Sequence, residues 1–384
     1  MTPRPGIELL RDRNYDLLMG KRVGLLTHPA AVDQHFMSSY RILTESADVQ
    51  VVALFAPEHG FRAAVRDGQS IGHSQDPRTG LPIHSLYGSK YRPSKDMLQD
   101  LDAIVCDIQD IGVRYYTYIW TLYEVMQAAG AHGLEVVVLD RPNPLGDKLA
   151  GPLVEPHLYS LVGGAPVPVC HGMTCAEMAR LLNELWNPTP CQLTVVRCSD
   201  WIRYQDARGS GQRWVSPSPN MPQWITARHY AGSCLIEGTN LSEGRGTALP
   251  FEIAGAPFID GDRLADALNR QVLSGVRWRS IRFHPTASKW AGQECGGVQA
   301  HITDVEMYDA LQSWLMLILQ VMELYPEAFE WRTLEGGLYV FDRLIGNEQV
   351  RQHLEQRLDL SHLWDKWASV GENFTAVRQP YLLY

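Results

Sequence analysis

Three times within the first 150 residues this chain runs through an apolar, β-branched stretch and stops abruptly in a cluster of polar side chains. The run at 49–55 ends in Pro57-Glu58-His59-Gly60-Phe61-Arg62. The run at 103–106 ends in Asp107-Ile108-Gln109-Asp110-Ile111-Gly112-Val113-Arg114-Tyr115-Tyr116-Thr117-Tyr118. The run at 135–139 ends in Asp140-Arg141-Pro142-Asn143-Pro144-Leu145-Gly146. Short apolar runs separated by helical stretches predict strands of a parallel sheet buried on both faces. Ligands of such sheets bind beyond the carboxyl ends of the strands, so three polar clusters placed there are expected to share one site.

The order of elements supports an α/β fold. A first strand is expected at 21–28, a helix at 38–46 and a helix at 116–129, which Gly130 and Gly133 would end. Residues 63–82, rich in Gly and Pro, predict a long loop over the strand ends. After Gly151 the alternation loosens. Thr174 and Glu177 form a capping box for a helix to 186, and a strand follows at 193–197. Residues 214–257 read as loop, 262–273 as helix, and 276–283 and 297–303 as strands. A second capping box, Thr303 to Glu306, predicts a helix running to 324. The expected division is an N-terminal domain over 1–155 carrying Glu58 and a smaller α+β domain over 156–384.

A chain of 384 residues has the length of two domains and can bury a substantial core. Its net charge of −9 and the lack of any Lys/Arg-rich run argue against nucleic acid or an anionic membrane as partner. Seven scattered cysteines with no C-x-x-C pair fit reduced, mostly buried thiols better than a disulfide framework or a zinc site. No apolar core of a signal peptide follows Met1, and the greasiest stretch, 314–322, is too short to span a bilayer. A soluble protein of the cytoplasm is the expectation. No metal, nucleotide-phosphate or serine-hydrolase motif occurs, so no cofactor is expected.

Glu58, at the end of a buried strand, sits where burial favours the protonated carboxyl that a general acid needs, although a pair with Arg62 would explain it equally well. Asp107, Asp110 and Arg114 can orient a ligand or simply hold a turn. In Asp140-Arg141-Pro142-Asn143 the prolines hold polar side chains at low entropic cost, which suits sugar hydroxyls and plain rigid turns alike. His171 precedes a helix N-terminus, a place for a polar ligand group or a hydrogen-bonded structural histidine. The segment 237–247 gathers Glu237, Asn240, Glu243 and Arg245 among glycines, and Trp214 with 216–222, including Asn220, makes a stiff loop able to floor a sugar site.

Taken in order, these segments resemble one family along nearly the whole chain. Pro57-Glu58-His59-Gly60-Phe61-Arg62, the 107–118 and 140–146 motifs, His171-Gly172-Met173-Thr174, Pro217-Ser218-Pro219-Asn220-Met221-Pro222 and 237–247 are similar to the motifs of the NamZ-type exo-β-N-acetylmuramidases, long described as a domain of unknown function. The resemblance implies a Rossmann-like domain joined to a second one with the active site in the cleft between them. It implies release of N-acetylmuramic acid from non-reducing ends of peptidoglycan fragments, and it places the leading catalytic candidate at Glu58. Two departures lie beside that site: Ala63 where the family usually has glycine, and Asp147 after Leu145-Gly146.

Glycoside hydrolysis needs an acid near the leaving oxygen and a second group at the anomeric carbon. Glu58 is the expected acid. Asp110, Tyr116, Glu243 and the substrate's own acetamido group are candidates for the second role. Arg62, Arg114 or Arg245 would meet the lactyl carboxylate with a bidentate contact, and His59, Asp107, Asp140, Arg141, Asn143, His171, Asn220, Glu237 and Asn240 are expected around the sugar. Alternatives are a Rossmann-like sugar or phosphosugar transferase and a non-catalytic glycan-binding protein.

Overall fold

The computed structural model describes residues 2–63, 74–88 and 91–384. In chain order its strands are β1 (Arg22–Thr27), β2 (Gln50–Ala56), β3 (Ser74–Gln75), β4 (Pro82–Ser85), β5 (Ala103–Asp107), β6 (Glu135–Leu139), β7 (Leu149–Leu153), β8 (Pro168–His171), β9 (Gln192–Val196), β10 (Ile253–Ala256), β11 (Val276–Phe283) and β12 (Cys295–Ile302). The three apolar runs are β2, β5 and β6, as expected. They join a seven-stranded sheet of order β3-β4-β2-β1-β5-β6-β9. Every pairing from β4 across to β9 is parallel, and only β3 runs against its neighbour.

This order reverses direction beside β1: the chain leaves β1 for β2 on one side and later returns to β5 on the other. The crevice above β1 and β5 is therefore the switch point at which open α/β sheets bind ligands. Val23, Leu25, Leu54, Val105, Val137, Leu139 and Val196 from five strands form one buried cluster with Ile7 and Leu10 of the helix Gly6–Asp12. Gly24 is needed on β1, because a Cβ there would lie 2.7 Å from both Leu101 Cδ1 and Phe55 Cε2.

Two compact units emerge. One comprises Met1–Lys148, His171–Trp224 and Thr375–Tyr384, the other Leu149–Cys170 and Ile225–Phe374. This differs from a boundary at 155/156, and hydrogen bonding gives the reason. β9 continues the parallel sheet beside β6. Asp140, just past β6, accepts from Thr174 Oγ1 at 2.7 Å, Ala176 N at 2.9 Å and Tyr384 Oη at 2.6 Å. Residues far along the chain are thus drawn back to complete the first unit. The second unit contains the antiparallel sheet β10-β12-β11 and the helix Ala310–Leu324, whose indole Trp314 is fully buried.

Two sequence expectations are corrected. Residues 214–257 are not all loop: they hold the helix Trp224–Ser233 and β10. Eight residues of that helix are buried, so it shows no polar face from which a period could be read. The helix to 324 starts at Ala310 with Asp309 as its cap, not at the Thr303 box, because Asp304 Oδ1 accepts from Glu306 N and Met307 N and closes a separate turn. The capping box at Thr174 does form, with both reciprocal bonds. Of the loop expected over 63–82, residues 64–73 lie outside the described residues.

Burial pushes the Asp140 carboxyl up to about 6, against the three donors that pull it down. The native protein then holds a proton that the unfolded chain loses near the ordinary value of 3.8. Across that window the native state binds more protons, so stability falls as pH rises. Above it, the bond from Tyr384 is charge-assisted, and such bonds contribute about 1.5–3 kcal/mol against about 1 for neutral ones. Tyr384→Phe is therefore expected to lower the melting temperature more at pH 8 than at pH 5, as read by thermal denaturation at both values.

Candidate active site

Glu58 lies two residues past β2 and is buried, 9% exposed. Its Oε2 accepts from Thr117 Oγ1 at 2.8 Å. Tyr118, fully buried, donates its hydroxyl to Pro217 O at 2.7 Å and lies 3.4 Å from Glu58 O. One tyrosine thus ties the backbone of the first motif to the Ser-Pro-Ser-Pro loop. The turn after Glu58 is left-handed at His59 (φ 69°), at Gly60 (φ 78°) and again at Ala63 (φ 47°). Non-glycine residues there cost roughly 1–2 kcal/mol each, so the turn stores strain next to the carboxyl. Ala63 stands in a conformation that glycine, the residue the resemblance leads one to expect there, adopts without strain.

Next to Tyr118 stands Tyr116, ring centroids 4.7 Å apart. Burial, and then the neighbouring Tyr118, holds the Tyr116 phenol well above its usual range, so it is protonated at neutral pH. Asp110 completes this group. Its Oδ2 accepts from Gly112 N at 2.7 Å and faces His171 Nε2 at 3.4 Å, while its buried Oδ1 has no hydrogen-bond partner among the described residues. His171 Nδ1 receives Met173 N at 3.3 Å, and its buried Nε2 makes no hydrogen bond among the described residues. Gly112 (φ 80°) has no room for a side chain: a Cβ would come within 2.2 Å of Asn143 Oδ1.

Other sequence candidates bond to neighbouring groups of the protein. Asp107 and Arg141 form a buried, two-pronged ion pair, with Arg141 Nη2 2.9 Å from Asp107 Oδ2 and Nε on Oδ1. Ser39 donates to the same carboxylate, and Arg141 Nη1 reaches Val32 O at 2.8 Å. Asn143 spends its amide on Met173 O and Leu145 N. Arg114 is fully buried, whereas the Arg62 side chain is 66% exposed and reaches Asp76 at 3.3 Å. Asn220 is half-buried in the loop that Tyr118 holds.

In the second unit the 237–247 motif folds into a charge cluster. Arg245 contacts Glu237 at 2.6 Å and Glu243 at 3.2 Å, and Lys289 Nζ lies 2.9 Å from Glu243 Oε2. Asn240 bonds Ala328 O and Glu330 N. Lys289 escaped sequence reasoning, because a lysine 42 residues past the motif carries no local signal. Thr117 and His28 were missed as well. His28, past β1, accepts from Gln109 N at 2.7 Å and packs its ring 4.9 Å from Tyr118; burial, with Arg141 and His59 adding to it, pushes its imidazole down to about 3, so it stays neutral. Among the described residues no group of three His, Cys, Asp or Glu could hold a metal ion.

A parallel sheet with its acid-bearing turns gathered at the carboxyl ends of β2, β5 and β6 defines an α/β protein of the Rossmann-like class. Two family models cover this chain: "Exo-beta-N-acetylmuramidase NamZ, N-terminal" over residues 23–225, and its C-terminal counterpart over 228–384. The chain belongs to the NamZ exo-β-N-acetylmuramidase family, a family of glycosidases. It is 42% identical over 380 residues to the peptidoglycan β-N-acetylmuramidase NamZ of Bacillus subtilis, covering 99% of this chain and 91% of that one. Two crystal structures of DUF1343 family proteins from Bacteroides fragilis share the fold. The first has a TM-score of 0.91 at 36% identity, the second 0.78 at 28%, each covering 100% of this chain and 99% of the other.

Proposed function

We propose that this chain is an exo-acting glycosidase that releases N-acetylmuramic acid from the non-reducing end of peptidoglycan fragments, with Glu58 as general acid. Supporting this reading, Glu58 is a buried carboxyl past a strand end, with one oxygen bonded to Thr117 Oγ1 at 2.8 Å and its backbone beside Tyr118. That arrangement fixes the plane of the carboxyl before substrate arrives, which is what proton delivery to a glycosidic oxygen needs.

Asp110 takes the second role. The substrate's acetamido N–H, or a water, is the donor that its unfilled Oδ1 calls for, and the bond from Gly112 N to Oδ2 holds the carboxylate in place with His171 3.4 Å behind it. Tyr116, a protonated phenol beside this group, donates rather than attacks. Glu243, between Arg245 and Lys289, acts as an anchor for those cations. Arg62, the most exposed of the three candidate arginines, meets the lactyl carboxylate. Muramyl saccharides shed by the cell wall are the substrates. No described helix is long and apolar enough to cross a membrane. The seven cysteines are all buried, and a recycling role in a reducing cytoplasm suits such thiols.

A chromogenic β-N-acetylmuramide, with the N-acetylglucosaminide as control, tests the activity: release from the first and not the second is the expected result, and no release from either overturns the proposal. The same assay tests Thr117. Removing its hydroxyl in Thr117→Val is expected to lower kcat about tenfold with little change in KM, since positioning acts in the transition state. Thr117→Ser should recover most of the loss; equal activity in all three proteins would remove Thr117 from the mechanism.

A further inference from the structure

At the switch point a pocket opens beside the catalytic turn but is not lined by Glu58, Asp110 or Tyr116. Its walls include Gln34, Gln109, Arg141, Pro142, Gln212 and Trp214, and prolines 3 and 5 close one side. Its buried charges are answered, Arg141 by Asp107 and Asp33 by Arg11 at 3.0 Å, while Arg213, an exposed lining residue, donates to Gln34 O. A phosphate or nucleotide would find no spare buried cation here, and apart from the exposed Arg213 what remains is a surface of carboxamides, proline rings and an indole.

The amide chain on its wall has a fixed sense. Gln109 Nε2 donates to Asp110 O at 2.8 Å and Pro142 O at 3.0 Å, so its Oε1 must face Gln212. Gln212 Nε2 donates to that oxygen at 3.1 Å. Gln212 Oε1 is then turned the other way, buried, and has no hydrogen-bond partner among the described residues. A buried acceptor without a donor is a gap that native structures rarely leave. Two residues past the lining Gln34, Phe36 is 56% exposed with a left-handed backbone (φ 60°), and the guanidinium of the lining Arg213 lies 5.3 Å from its ring centroid. Non-glycine residues held in the left-handed region are strained, and such strain clusters at ligand clamps.

From these features we infer that the pocket is a second saccharide site, taking a neutral N-acetylated hexosamine of the glycan. The sugar's apolar face lies on Trp214 and the prolines, and its acetamido N–H or a hydroxyl fills Gln212 Oε1. The inference rests on the glycan reading above and adds a hold on the chain remote from the cleaved bond.

The probe is N,N′-diacetylchitobiose, which lacks the lactyl carboxylate, titrated by calorimetry with N-acetylmuramic acid present in excess. The wild-type protein is expected to bind it. Gln212→Leu and, independently, the rim variant Phe36→Ala are expected to weaken binding about fivefold or more, the size of one lost hydrogen bond or ring contact. Release from the chromogenic muramide should stay unchanged in both. No binding, displacement by N-acetylmuramic acid, wild-type affinity in both variants, or occupancy by a stem peptide in place of the sugar overturns the inference. Loss of muramide release by the wild-type protein would instead overturn the glycosidase reading, so the two failures are distinguishable.

Discussion

Replacing Glu58 by Gln is expected to reduce release of N-acetylmuramic acid from a muramyl disaccharide, whose leaving group is a sugar, by about a thousandfold, within the 10²–10⁴ that general acids supply. The amide keeps the shape of the side chain and can still face Thr117 Oγ1, so the melting temperature should move by no more than a degree or two. A leaving group that departs without protonation sharpens the test. With an acidic phenol in place of a sugar, the loss on substitution should shrink, because less of the barrier is proton transfer. Near-normal turnover of a poor leaving group by Glu58→Gln would assign the acid elsewhere.

Asp107→Ala is expected to show the largest effect on stability. The substitution leaves Arg141, 5% exposed, without its carboxylate in the interior. Breaking a buried pair from one side costs about 3–5 kcal/mol, which corresponds to a fall in melting temperature on the order of 10 °C for a unit of this size. Removing both charges together, as Asp107→Leu with Arg141→Met, should recover much of the loss, since a well-packed apolar pair often replaces an ion pair at little cost. If instead Asp107→Ala melts like the parent protein, the pair is not closed in solution and both residues return to the list of sugar ligands.

The central sheet was legible because its strands are apolar on both faces: β6 coincides with the run at 135–139, and β1, β2, β5 and β9 lie within a residue or two of their expected ends. Periodicity failed where everything is buried, as in Trp224–Ser233, and where an Asp at 304 competes with a helix start. The candidate site shows a different limit. Motifs identify polar residues at strand ends but not their partners. Asp107 and Asp110 are three positions apart, yet one is consumed by Arg141 and Ser39, while the other keeps a buried oxygen open beside His171. Nothing local distinguishes them, because those partners come from 34, 68 and 61 residues away.

The interrupted course of the first unit also bears on how the protein is made. Its sheet emerges from the ribosome early, but residues 375–384, which bring the hydroxyl that Asp140 accepts, follow only after 225–374 have been synthesised. Until then the nascent sheet carries a buried carboxyl one donor short. Folding of the acid-bearing turns is therefore coupled in time to translation of the other unit, and a chain cut at the junction near 225 is a natural substrate for chaperones and proteases rather than an independent domain.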